Sequence, residues 1–300
     1  MSNFKDVLIE NVEDDFKRYV DENPRPFVKW VGGKRQLLKQ FRDMDLYPPD
    51  DFDPKTATYF EPFVGGGAVF FNLLPKKAIL SDMNLELVTT YNVIKNDVEE
   101  LIKNLQKHKL ENDKEYFLKI RAQKIEKLSD TEVAARFIYL NKTCFNGMYR
   151  VNRSGGFNVP FANTKNPLIC DIDNLRKISL ALKKTKILYH DYKKVLQKAK
   201  KGDFVYFDPP YYPVNKTSSF TSYTKEGFLE KEQEELRDVF VKLHKRGCFV
   251  MLSNSDTPFI NKLYFGLDKK IKIHKVYAGR MINSDATKRG KIKEVVIINY

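Results

Sequence analysis

Cysteine, histidine and tryptophan are scarce in this 300-residue chain, at three, four and one copies. Cys144, Cys170 and Cys248 cannot all pair, and none belongs to a C-x-x-C. A disulfide framework and a cysteine-rich zinc site are therefore disfavoured, and a reducing cytoplasm fits. His108, His190, His244 and His274 are isolated, without the spacing of H-E-x-x-H, so no metal is expected. No apolar run approaches the roughly 18 residues of a membrane helix; GCFVML around Cys248 is among the longer ones. The first residues, MSNFKDVLIENVEDD, are too acidic and too interrupted for a secretory signal. Neither G-x-G-x-x-G nor G-K-[ST] occurs at the glycine-rich turns, which argues against a nicotinamide oxidoreductase and a P-loop enzyme.

What the chain has is apolar residues enough for a sizeable core, 42% of the total, and a basic surplus. Its net charge is +14, a balance suited to a polyanionic partner. Residues 1–23 run the other way at net −4, so the remainder carries +18. A solvated lysine-rich surface explains most of this equally well, including the dense lysines from Lys183 to Lys201. At this length two lobes are likelier than one.

Phe4, Val7, Leu8, Val12, Phe16, Tyr19 and Val20 recur at helical spacing, so residues 1–23 predict an amphipathic helix ended by Asn23-Pro24-Arg25-Pro26. TYFEPF predicts a strand, AVFFNLL a helix, and AILSDMN a second strand. From Leu85 to about Leu140 the periodicity is helical throughout. The stretch beginning at Asn141 mixes glycine, asparagine, aromatic and basic residues as a loop or hairpin does. Strand signals return at KILYHD, DFVYF, CFVMLSN, IKIHKVYA and EVVIINY, separated by helical runs. Such alternation predicts an α/β fold with a mostly parallel, doubly wound sheet, whose ligands sit at the carboxyl ends of the strands.

Three features fall at those ends. FEPFVGGGAVFF puts Gly65, Gly66 and Gly67 between a strand and a helix, where backbone can approach a ligand closely. Asp82 ends the next strand, where an acid can accept hydrogen bonds from ribose hydroxyls. Together they suit a nucleoside-containing cofactor; a tight turn and a capping acid is the plainer alternative. Asp208-Pro209-Pro210-Tyr211 is the sharpest feature: an apolar strand delivers a carboxylate, two prolines stiffen the chain after it, and an aromatic ring stands beside it. Acceptors beside a ring suit an amino group on a planar heterocycle.

FVKWVGGKRQLL, YFEPFVGGGAVFF, SDMN, FNGMYRVN, FNVPF, VYFDPPY, FTSYTKEGF and MLSNSD, in this order, resemble the motifs of Dam-type DNA adenine-N6 methyltransferases, the adenine methylases of GATC restriction-modification systems included. The likeness spans about residues 26–300. It implies a Rossmann-like methyltransferase sheet with a mainly helical inserted target-recognition domain: 24–84 and 170–300 catalytic, 85–169 for recognition, and 1–23 as an extension. It implies S-adenosylmethionine as methyl donor, held by Trp30, Lys34, Phe63, Gly65, Gly67, Asp82, Asp208 and, with less of the motif behind it, Asp191. Asp208, Pro209, Pro210 and Tyr211 match the catalytic motif. Hydrogen bonds from the adenine amine to Asp208 and the Pro209 carbonyl would aim its lone pair at the methyl group, and Tyr211 would stack on a base flipped out of the duplex. No Pro-Cys pair exists for the cysteine route to carbon-5 of cytosine.

By the same resemblance Lys29 and Arg150 would read guanines, Phe145 and Asn146 would meet the opened duplex, and Met148 would touch a thymine methyl; a phosphate contact is the plainer role for Arg150. After FNVPF, many GATC-specific relatives read Gly-Arg-Tyr-Lys where this chain has Ala162-Asn163-Thr164-Lys165, so flanking contacts or the target itself can differ. Double-stranded DNA is the expected partner, at the nucleoid in the cytoplasm. A monomer or weak dimer is expected, any cognate restriction endonuclease being a separate protein. The rivals are an N4-cytosine or RNA adenine methyltransferase, and a nucleic-acid-binding regulator without turnover.

Overall fold

A computed structural model describes residues 23–152, 154–214, 228–279 and 291–300. The helix expected over 1–23 and most of FTSYTKEGF lie outside the described residues. Near the amino end, α1 (Leu38–Asp43) buries Leu38 and Phe41. The sheet then begins with β1 (Tyr59–Glu61), α2 (Ala68–Leu73) and β2 (Ala78–Asp82). Four helices come next: α3 (Leu85–Asn96), α4 (Val98–Leu110), α5 (Lys114–Arg121) and α6 (Asp130–Thr143). After a short hairpin-like loop come α7 (Ile172–Leu182), β3 (Thr185–Tyr189), β4 (Phe204–Phe207), α8 (Glu230–Arg246), β5 (Phe249–Ser255), α9 (Pro258–Tyr264), β6 (Lys272–Gly279) and β7 (Lys291–Ile298).

The seven strands form one mixed sheet in the order β3-β2-β1-β4-β5-β7-β6. The five strands from β3 to β5 are parallel, while β7 enters antiparallel between β5 and β6. Side-chain pattern explains the two last positions. Val295 to Ile298 are buried in succession, as an interior strand covered on both faces requires. β6 alternates exposed Lys272, Lys275 and Tyr277 with half-buried or buried neighbours, as an edge strand does.

Period-two alternation divides the core in two. Tyr59, Leu80, Phe204, Tyr206, Met251 and Val296 face one side, where the core continues into the helices of residues 85–143. Phe60, Val205, Phe207, Val250 and Ile297 face the other, under Leu236 and Phe240 of α8. Both faces are covered, so this is a doubly wound, Rossmann-like α/β fold.

Two caps place the helical insertion. The Asn84 side chain accepts the Leu87 N–H at 3.0 Å and starts α3 directly after β2. Ser129 and Glu132 form a reciprocal capping box that starts α6. Nearly every residue of α6 from Val133 to Asn141 is buried, because α3, α4 and α5 all pack on it. α3 also touches β2 and β3, so one core runs from the sheet into the insertion. Among the described residues no helix is long and apolar enough to cross a membrane.

Candidate active site

Strand order reverses between β1 and β4, and the crevice beyond their carboxyl ends is the expected ligand position in such a sheet. The segment after β1, Asp82 ending β2, and Asp208 directly after β4 meet this rim. The residues preceding α1 close it from the other side.

Lys34 opens a single 3-10 turn, Lys34–Gln36, and is only 3% exposed. Its ammonium donates to the Gly32 carbonyl and to both oxygens of Asp208, at 2.7 and 2.8 Å. It also lies 4.8 Å from the Tyr211 ring centre, within cation–π range. The Tyr211 hydroxyl donates to Glu294 on β7 at 2.8 Å. Burial pushes the Asp208 carboxyl up to about 6. The Lys34 charge and hydrogen bond oppose that rise, and the nearby Glu294 adds to it. Glu61, at the end of β1, is carried further, to about 8, chiefly by burial. Its carboxylate accepts the Tyr59 hydroxyl at 2.9 Å and the Phe70 N–H at 3.2 Å.

The backbone beyond the catalytic motif is pinned from behind. Gln233 of α8, fully buried, donates to the Pro210 carbonyl at 3.0 Å and accepts from Asn254 at 2.9 Å. Asn254 in turn accepts the Tyr212 N–H at 3.1 Å, and the Ser255 hydroxyl donates to the Tyr212 carbonyl at 2.7 Å. Sequence reading missed these residues, although Asn254 and Ser255 stand inside MLSNSD.

The donor-side residues form a second cluster. Asp82 accepts the Gly65 N–H at 3.1 Å and the Asn84 N–H at 2.9 Å, tying the glycine turn to β2. Burial raises its carboxyl to about 6 against those backbone bonds. Gly65 has φ +47, and a Cβ there would stand 2.6 Å from the Trp30 ring. Gly67 has φ +70, and a Cβ would stand 2.6 Å from the Tyr91 hydroxyl, which itself donates to the Gly65 carbonyl at 3.0 Å. The turn therefore needs glycine for both dihedral and space. Trp30 stacks on Tyr149, centroids 6.1 Å apart. The Tyr149 hydroxyl donates to Glu86 at 2.8 Å, and Glu86 is ion-paired with buried Arg136 at 2.9 Å. Phe63 stacks on Tyr192 at 5.2 Å, next to Asp191, whose carboxylate caps a 3-10 turn by accepting the Lys193 N–H at 2.8 Å.

The expected base-reading residues gather on the loop after α6. Phe145 and Asn146 are exposed, Asn146 with φ +56, and Met148 is half-buried against the core. Exposed Arg150 donates to the Asn158 side chain at 2.7 Å. Exposed Lys29 lays its stem against Gly147. The dense lysines from Lys183 to Lys201 are exposed.

A Rossmann-like sheet with carboxylates at successive strand tips and a buried lysine across them defines a methyltransferase-type α/β enzyme. Comparison with known proteins makes this specific. The family model of D12 class N6 adenine-specific DNA methyltransferases matches residues 30–282. The chain is 45% identical over 284 residues to the Type II methyltransferase M1.LlaDCHI of Lactococcus lactis subsp. cremoris, covering 93% of this chain and 96% of that protein. It is 46% identical over 292 residues to the Type II methyltransferase M.MjaIII of Methanocaldococcus jannaschii, covering 92% and 99%. Against the DNA adenine methylase of Escherichia coli (strain K12), identity is 30% over 279 residues, covering 91% and 95%. The chain belongs to the D12 class of N6 adenine-specific DNA methyltransferases.

Proposed function

We propose that this enzyme methylates N6 of adenine within GATC in duplex DNA, taking the methyl group from S-adenosylmethionine after flipping the base. The observation that carries the chemistry is the Lys34–Asp208–Tyr211 cluster at the sheet's switch point. The donor's own chemistry is an electrophilic methyl on a sulfonium. The donor set fits it: each Asp82 oxygen takes one backbone N–H, leaving acceptor capacity for a ribose diol. Lys34 is a cation suited to the donor's carboxylate. Trp30, Phe63 and the Gly65–Gly67 turn supply flat and close-approach surfaces, and Asp191 an acceptor for an adenine amine.

Adenine's exocyclic nitrogen shares its lone pair with the ring and is a weak nucleophile. Asp208, ionised and held by Lys34, accepts one N–H, and the Pro209 carbonyl the other. The lone pair is thereby localised and aimed, so positioning does most of the work. A paired base cannot reach the rim, so it leaves the stack at a cost of about a few kcal/mol, and Tyr211 receives it. Residues 85–169 form the reading lobe in this proposal, with α3 shared between that lobe and the sheet. Lys29, Phe145, Asn146, Met148 and Arg150 are its contacts.

The test is unmethylated genomic DNA incubated with S-adenosylmethionine and either the wild-type chain or Asp208→Ala, with methylated bases mapped by single-molecule sequencing. N6-methyladenine in GATC alone, absent with Asp208→Ala, is the expected result. Another motif would refute GATC and turn attention to Ala162–Thr164. Methyl transfer to cytosine or only to RNA would refute the acceptor.

A further inference from the structure

One buried side chain joins Lys29 to the loop that carries the other proposed base contacts. Asn141, in the last turn of α6, is 1% exposed. Its carbonyl oxygen accepts the Lys29 N–H at 2.9 Å. Its two amide hydrogens go to the Lys29 carbonyl at 2.9 Å and the Gly147 carbonyl at 2.8 Å. Both donors are spent, one on each segment, and the backbone of Lys29 is held on both sides. Gly147 has φ +63, and a Cβ there would stand 2.5 Å from Lys29 Cδ and 2.7 Å from Lys29 Cβ. The lysine stem thus lies directly on the turn that carries exposed Phe145 and Asn146.

We propose that Asn141 is a positioning residue for target discrimination: it holds Lys29 and the 145–150 loop in one register, so the two reach the DNA as a single reading surface. This rests on the proposed DNA-methylating function. The side chain has no substitute of similar shape. Aspartate offers oxygens where two carbonyls need donors, and leucine removes all three bonds. Discrimination is sensitive to such a loss, because a bidentate base contact works only at one separation. Asn141 does not reach the solvent-facing surface, so it acts through Lys29 and the loop.

The experiment uses the full-length chain. The wild-type motif is first fixed on genomic DNA, and then kcat/KM is measured on short duplexes carrying that motif or single-base variants of it. Donor affinity is followed by equilibrium dialysis with labelled S-adenosylmethionine, and folding by thermal melting. Asn141→Asp is expected to lower the cognate-to-variant ratio of kcat/KM by about tenfold or more, with donor affinity retained. Gly147→Ala keeps the amide but drives a methyl group into the Lys29 stem, and is expected to lower the same ratio; it carries the test if Asn141→Asp does not fold. A role in stability alone would lower melting temperature and both kcat/KM values together, leaving the ratio unchanged, and that result overturns the inference. A wild-type chain that methylates no DNA overturns the function itself, and this inference with it.

Discussion

Removing the Lys34 charge should move the acid limb of the pH–rate profile upward. In Lys34→Met, Asp208 loses an ammonium at 2.7 Å from one oxygen and 2.8 Å from the other. Coulomb attraction at that distance is about 6 kcal/mol for an effective dielectric near 20. Water entering the gap returns much of it, and one neighbouring charge typically shifts a carboxyl by about 1–3 units. The wild-type Asp208 carboxyl stands at about 6, so the variant's limb is expected at roughly 7–9. Near pH 7 the ionised fraction then falls from about nine-tenths to about one-tenth for a two-unit shift, a roughly tenfold rate loss that base recovers. The assay is single-turnover methyl transfer from about pH 5.5 to about pH 9.5, at saturating donor because Lys34 is also a candidate donor contact. A uniform rate loss, with the limb still at about 6, would refute the reasoning. The same shift has a stability consequence of opposite sense. The folded value lies above the ordinary 3.8, so the folded chain holds the extra proton between about pH 4 and pH 6. Asp208 therefore withdraws stability as pH rises through that window, and adds none back above it.

Gln233→Leu should lower kcat by about tenfold to a hundredfold with KM for DNA little changed, because it frees the Pro210 carbonyl without touching either substrate; steady-state kinetics showing the reverse split would contradict this. Arg136→Met leaves Glu86 buried without its ion-pair partner, and denaturant unfolding should report a loss of about 3–5 kcal/mol.

Contiguous motifs were legible without a structure because their chemistry is local. The glycine turn after β1, Asp82 ending β2 and Asp208 after β4 sit where period-two strands stop, and each was read at its place. The helical character of Leu85 to Leu140 was equally plain, since 3.6-residue periodicity survives whatever the helix packs on. Trp30 and Lys34 needed more. Read singly, one suggested core packing and the other a solvated lysine, and only the surrounding motif marked them. In the folded chain Lys34 is buried against a residue 174 positions away.

The amino-acid sequence by itself determined the alternating α/β class, the acids at the strand tips, and the family. Tertiary structure alone decided the partners. It set β7 antiparallel between β5 and β6, joined Glu86 to Arg136 and Tyr149, brought Gln233 behind Pro210, and spanned Lys29 and Gly147 with Asn141. The physical reason is that propensity and periodicity act over a few residues, whereas a buried polar group takes whichever complementary group the completed fold leaves within about 3 Å.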